Sequence, residues 1–413
     1  MAVADVTLGF DPTLAGAALG FVLGGILLGT VSGLVPGLHA NNFALLLVAI
    51  APAVPGPPLL VGLAMLAAGV VHTFLDVVPT LALGVPDADM AAMALPGHRL
   101  VIEGRGYEAL RLSALGSGIA VVLALPLAVP ITLAMVRAWP TLDAHMPLVL
   151  AIVALVLLVT EPNWVAAGGG GLAFVVSSAL GLVTLDLDPE APMDGGGMLA
   201  PLFAGLFGAP VLVDALRGAG VPTQKTATVQ VSRRAVAAPA AAGSMAGAIV
   251  GYLPGVSSAI AAVIALLAVP GDAKDRGFIV ATSGVNTSNT IFALFALVAL
   301  GSPRTGVLVA LENASVPIHL PFMLGATLLA AAVGFVMVVT IGDVYLRTVG
   351  RLDYTLLSGA ILVLLTVLSF LFAGPIGVGV FALSIAIGFI PVRLGAKRVH
   401  LMGVLMGPIM LGW

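Results

Sequence analysis

His72 and Asp76 stand four residues apart within the apolar run 60–83, so a helix there carries both on one face, with Thr73 beside them. Ionisable groups are costly at membrane depth, and a His/Asp pair is equipped to relay protons or to help hold a coupling Na⁺ near Asp76. Two plainer readings stand beside that one: the two side chains satisfy each other, or they lie close to the interface. A denser polar set comes later. Thr282, Ser283, Asn286, Thr287, Ser288, Asn289 and Thr290 fill seven of nine consecutive positions ahead of the apolar stretch IFALFALVALG. Amides and hydroxyls donate to carboxylate or phosphate oxygens, and their oxygens can coordinate a cation. Isolated Ser or Thr in a membrane helix is ordinarily an interhelical hydrogen-bonder, but this density points to a surface lined by solvent or ligand.

Polar residues also follow two Pro-Gly pairs. His39, Asn41 and Asn42 come after Pro36-Gly37, and Ser257 and Ser258 come after Pro254-Gly255. Proline removes a backbone donor and glycine admits positive φ, so each pair breaks a membrane helix. The backbone groups released there must be met by protein or by a water-filled cavity. A half-helix starting just past the break turns its amides and positive dipole end toward the gap, which favours an anion. For one copy a packing kink explains as much, because glycines spaced by four are common helix-contact surfaces. Two matched copies with trailing polar residues favour a substrate site.

The copies do match. Gly25, Gly29, Gly33, Pro36 and Gly37 recur as Gly243, Gly247, Gly251, Pro254 and Gly255, displaced by 218 (254 − 36). Leu83-Gly84-Val85-Pro86 recurs as Leu300-Gly301-Ser302-Pro303, displaced by 217 (303 − 86). The chain is therefore read as an internal duplication, with Asn289 opposite His72 and Thr290 opposite Thr73.

Composition places these elements in a membrane. Sixty per cent of the 413 residues are hydrophobic and 8% are charged, with a mean hydropathy of +1.18. Water-facing surface on that scale is not available, whereas lipid-facing helices need none. The fold class expected is an all-α polytopic membrane protein of two inverted-topology repeats, with broken or re-entrant helices after the Pro-Gly motifs. Spans are read near 13–35, 38–55, 58–85, 111–137, 145–161, 164–185 and 196–216, then near 238–254, 256–270, 278–301, 318–341, 354–373, 376–392 and 400–413. The short ones after Pro36 and Pro254 are drawn as re-entrant. This gives a first repeat over 1–216, a basic linker over 217–237 and a second repeat over 238–413. Asp186, Asp188, Glu190 and Asp194 mark one side; Arg217, Lys225, Arg233 and Arg234 mark the cytoplasmic one. Arg99, Arg105, Arg111, Lys274, Arg276, Arg393, Lys397 and Arg398 fall on the cytoplasmic side when each half crosses seven times, and an odd number inverts the repeats.

Other chemistry is sparse. MAVADVTLGFDP has no basic n-region, so the first apolar segment is expected to remain as a span. Cysteine is absent, which removes disulfides and thiolate chemistry. The net charge of −3 offers no basic face, and no nucleic-acid partner is expected. Gly168, Gly169, Gly170 and Gly171 lack the Lys-Ser/Thr of a phosphate loop and read as close packing or a bend. No nucleophile elbow, zinc motif or carboxylate pair is present, so neither an enzyme nor a metal or organic cofactor is expected beyond a coupling Na⁺ or H⁺.

The run Gly29-Thr30-Val31-Ser32-Gly33-Leu34-Val35-Pro36-Gly37-Leu38-His39, the Leu83-Gly84-Val85-Pro86 turn, GHRLVIEGRGYEALRLSALGS at 97–117 and GAIVGYLPG at 247–255 resemble the large permease of the tripartite tricarboxylate transporters, in its compact archaeal-type branch. The resemblance implies inverted repeats, ion-coupled carboxylate uptake across the cell membrane, and partners in the form of a small membrane subunit and an extracytoplasmic binding protein. It also implies that Pro36, Gly37, Pro254, Gly255 and the polar residues after them line the site. The chain is shorter than the better-known permeases and carries His39-Ala40-Asn41-Asn42 after its first Pro-Gly. The leading function is an ion-coupled transporter for a small organic anion, with membrane lipid around it and a homo-oligomer compatible with it. The alternatives are a polyprenyl-phosphate or other lipid-phosphate translocase, for which a basic residue near the headgroup is required but absent from both polar stretches, and an intramembrane lipid enzyme using His72 and Asp76.

Overall fold

Asp11 starts the first helix by accepting from the Thr13 and Leu14 amides, and Pro12 occupies the first helical turn, where its missing N–H costs nothing. Equivalent devices open later helices: Asn163, Ser232 and Thr305 each take an amide three residues on. The computed structural model describes residues 11–36, 38–85, 90, 94–193, 197–216, 222–225, 228–267, 274–351 and 353–412. Gly37, Pro86, Asp194 and Arg217 lie outside the described residues. Among those described the regular structure is entirely helical, with eight helices long and apolar enough to span a membrane. The protein is thus an all-α polytopic membrane protein, and residues such as Leu27, Val31, Val122 and Val183 present apolar surface that lipid accommodates.

Two runs of helices follow one another along the chain. In the first half α1 (Pro12–Gly33), α2 (Ala40–Ile50), α3 (Pro58–Leu75) continuing as α4 (Val77–Leu83), α5 (Ala94–Ile102), α6 (Gly106–Ala144), α7 (Met146–Val159) and α8 (Trp164–Thr184) are followed by α9 (Leu199–Phe203), a π-helical turn and α10 (Ala209–Ala215). In the second, α11 (Arg233–Tyr252), α12 (Ser258–Leu267), α13 (Lys274–Leu300), α14 (Gly306–Asn313), α15 (Leu320–Val349) and α16 (Tyr354–Leu394) precede a 3₁₀ turn at Arg398–Met402 and α17 (Gly403–Met410). The segments expected at 354–373 and 376–392 are one element, α16, bent at Ala373 and Gly374, where Gly374 takes φ 58° ahead of Pro375. The segments at 38–55 and 256–270, drawn as re-entrant, are short apolar helices, and those expected at 145–161, 196–216 and 400–413 are apolar helices shorter than the eight long ones. α11 begins at Arg233, inside the stretch read as linker, because Ser232 caps it there.

Glycine sets the packing of each half. Gly25, Gly29 and Gly33 lie so close to Ala64, Ala68 and His72 that a Cβ would collide with α3. Gly243, Gly247 and Gly251 meet Ala281, Ser288 and Phe292 on α13 in the same way. In both halves the contacts advance together, so α1 runs parallel to α3 and α11 parallel to α13. The intervening short helices α2 and α12 must therefore carry the chain back. α3 and α4 run eleven residues past His72 (83 − 72), about 16 Å beyond the end of α1. The first break accordingly sits within the depth of the span.

The halves interlock. Ser113 and Ser117 of α6 bond Ser283 and Thr287 of α13, each at 2.8 Å, while Phe74 and Val78 of the first half face Gly334 and Gly342 of α15. α6 runs antiparallel to α15, and α8 to the second limb of α16. Arg111 near the start of α6 bonds Asp343 near the end of α15 at 3.2 Å. Likewise Glu161, ahead of α8, accepts from His400 beyond α16 at 2.8 Å, while Gly374 lies against the Glu190 carbonyl beyond α8. At the basic end buried Glu108 accepts from Arg105 (2.7 Å), Arg276 (3.0 Å) and the Gln230 amide (3.1 Å), joining both halves to the segment between them.

Candidate functional site

Both broken segments border one cavity of about 130 Å³. From the first come His39 and Asn41; from the second come Pro254, Gly255 and Ser257. Gly255 has φ 76°, a conformation that disfavours any side chain. His39 caps α2, its Nδ1 accepting the Asn41 amide at 2.9 Å, which leaves the proton of the neutral ring on Nε2. The His39 ring stacks on Phe203 of α9, 4.7 Å between centroids. Asn41 Oδ1 accepts the Gly306 amide at 3.0 Å, fastening the first break to the start of α14.

α13 supplies Asn286, Asn289 and Thr290 to the cavity, and α3 supplies Thr73. Asn286 is buried and bonded on both sides: Nδ2 donates to Asp76 Oδ2 at 3.0 Å and to the Thr73 carbonyl at 3.3 Å, and Oδ1 accepts from Ser258 at 3.4 Å. It thereby ties the first half to the second and to the second break. Asn289 Oδ1 is buried with no protein partner, an acceptor that a ligand or water in the cavity would satisfy. Asn42 Oδ1 is buried without a partner as well, but Asn42 is not in the wall.

The remaining sequence candidates are placed differently. Thr287 and Ser288 face neighbouring helices: Thr287 bonds Ser117 on α6, and Ser288 bonds the Ser244 and Gly284 carbonyls. Part of the dense polar set is thus interhelical glue. Ser258 and Pro36 are buried behind the wall, and Gly37 is outside the described residues. His72 and Asp76 diverge. His72 Nδ1 meets Ser32 Oγ of α1 at 2.9 Å, and its ring stacks on Phe43 of α2. Asp76, at the junction of α3 and α4, meets Asn286. Both are one layer outside the cavity.

Arg304 lines the cavity and was not singled out from the sequence. It lies over the Trp139 ring of α6 at 4.5 Å. Burial pushes its pKa down and Asp143 opposes that, from a value so high that the guanidinium remains charged at neutral pH. Neither polar stretch carries a lysine or arginine, and the cavity takes its basic residue from the loop after α13. One signal was available: Arg304 directly follows the duplicated Leu300-Gly301-Ser302-Pro303 turn. Gly84 and Gly301 in the two copies take φ 68° and 62°, so each ends its helix in the same left-handed cap.

Broken helices meeting at a polar cavity inside a bundle of apolar helices define a polytopic transporter-class membrane protein. The model of the tripartite tricarboxylate transporter TctA family matches residues 19–403, and the chain belongs to that family. It is 26% identical over 333 residues to an uncharacterized protein of Methanocaldococcus jannaschii, covering 79% of this chain and 80% of the relative. No solved structure matches it.

Proposed function

We propose that the chain is an ion-coupled permease for a small organic anion, a carboxylate, working by alternating access in the plasma membrane. The observation that carries this is the meeting of both Pro-Gly segments with Asn289 and Thr290 around one cavity at membrane depth. His39, Asn41, Ser257, Asn286, Asn289 and Thr290 contact substrate directly; Pro36, Gly37, Pro254 and Gly255 shape the breaks; Asn42, Ser258, Thr287 and Ser288 support them from behind. Asp76, with His72 one turn earlier, carries the coupling Na⁺ or H⁺ and communicates with the cavity through Asn286. The antiparallel course of α6 and α15, and of α8 and the second limb of α16, supports two inverted repeats, over 1–216 and 238–413 with a cytoplasmic linker between, that rock about the site. Membership of a tripartite family supports a small membrane subunit and an extracytoplasmic binding protein as partners.

A lipid-phosphate substrate fits less well. The large apolar groove between α1, α2 and α3, where an acyl chain would lie, shares no lining residue with the polar cavity. Purified protein in vesicles, tested for uptake of radiolabelled di- and tricarboxylates under imposed Na⁺ or pH gradients, decides the matter. Gradient-dependent accumulation is expected. No uptake under either gradient, together with flipping of a fluorescent polyprenyl phosphate, would replace the permease reading with the translocase.

A further inference from the structure

Among the lining residues Arg304 is the one lysine or arginine, and it comes from neither polar stretch. Its guanidinium is positioned by an aromatic face: Trp139 lies 4.5 Å beneath it. Its Nε is buried with no hydrogen-bond partner in the protein. Asp143, one turn beyond Trp139 on α6, acts on it through its field. Stacking occupies the flat face of a guanidinium and leaves the donors around its edge directed outward, the arrangement that receives a planar carboxylate through two parallel bonds. The same cavity is also lined by Asn289, whose buried Oδ1 has no partner in the protein.

We propose that Arg304 is the anion anchor of the cavity, gripping one carboxylate of the substrate by its edge while Trp139 fixes its plane and Asn289, Thr290 and Ser257 receive the rest of the substrate. This rests on the permease reading above. The anchor is single: the position at the repeat offset (304 − 217 = 87) is Asp87, an acid. One fixed cation neutralises one carboxylate, so any further substrate charge must be matched by coupling cations. Ligands are therefore small carboxylates engaged through a single carboxylate group.

Trp139 reports on its own partner. The chain has three tryptophans, and W164F/W413F leaves Trp139 as the sole indole. In the full-length detergent-purified protein, titration with succinate or citrate at constant ionic strength should produce a saturable change in Trp139 emission. Arg304→Gln should abolish it. Arg304→Lys, which keeps the charge and loses the fork, should weaken binding about tenfold or more at an unchanged melting temperature. Calorimetry on the same samples separates the possible failures. Carboxylate binding of equal affinity in Arg304→Gln and in the unaltered protein overturns the anchor and leaves the permease standing. Failure of the unaltered protein to bind any carboxylate overturns both. Saturable binding of inorganic phosphate alone overturns the carboxylate class.

Discussion

Asp76 is buried and accepts from Asn286, a neutral amide of the opposite half. A carboxylate inside a membrane helix is the group a coupling proton or cation would use. Asp76→Asn preserves shape and can still accept from Asn286, so the fold should survive. The expected outcome in reconstituted vesicles is loss of gradient-driven uptake with a melting temperature within a few degrees of the original. Uptake by the variant that still follows a Na⁺ or proton gradient would leave Asp76 a structural residue, and would remove coupling from this part of the molecule.

Helix α1 depends on having no side chain at every fourth position. A valine at Gly29 would drive its methyl groups into the Ala68 backbone, whose helix cannot yield without losing Gly25 and Gly33 contacts as well. Overpacking of this kind costs about 1–3 kcal/mol where neighbours can move, and more where backbone meets backbone. Gly24 is adjacent in sequence but has nothing within 4 Å. Gly29→Val should therefore abolish recovery of folded protein from membranes while Gly24→Val leaves it unchanged, as read by size-exclusion chromatography. Equal yields would show that α1 and α3 separate more readily than their contacts imply. The caps can be tested too. Gly301 has φ 62° and open space for a Cβ, so Gly301→Ala isolates the backbone cost of a left-handed residue, about 1–2 kcal/mol, and a thermal melt showing no loss would deny the cap its role.

The two halves are joined at one end by Glu108, which is fully buried and takes both Arg105 and Arg276. Removing one member of a buried ion pair typically costs about 3–5 kcal/mol. Both guanidinium groups here keep partial exposure, so Glu108→Gln should cost nearer ~2 kcal/mol, measured by thermal unfolding in detergent. Orientation is open to direct test because the chain has no cysteine. Single cysteines at Asp188 and Lys225, both exposed, should react with a membrane-impermeant maleimide from opposite faces, Lys225 from the cytoplasmic one. Labelling of both from the same face would contradict the odd crossing number and the inverted repeats with it.

Composition alone required a bundle of membrane helices, since 8% charged residues cannot clothe a protein of this size in water. Residue spacing was enough to show the matched glycine-proline motifs, because glycine and proline act through backbone geometry that needs no partner: the left-handed conformations at Gly84 and Gly301 are local events. What each polar side chain faces was decided elsewhere. Thr287 and Asn289 are two residues apart on one helix, yet one bonds α6 and the other borders the cavity, and only the packing of α13 between its neighbours separates them. His72 and Asp76 were legible as a pair by spacing but are drawn apart by Ser32 and Asn286, partners 40 and 210 residues away. Arg304 was hidden for the same reason. A residue after a turn acquires its surroundings when the chain folds back over Trp139, 165 positions earlier (304 − 139), and no local pattern encodes a contact made at that distance.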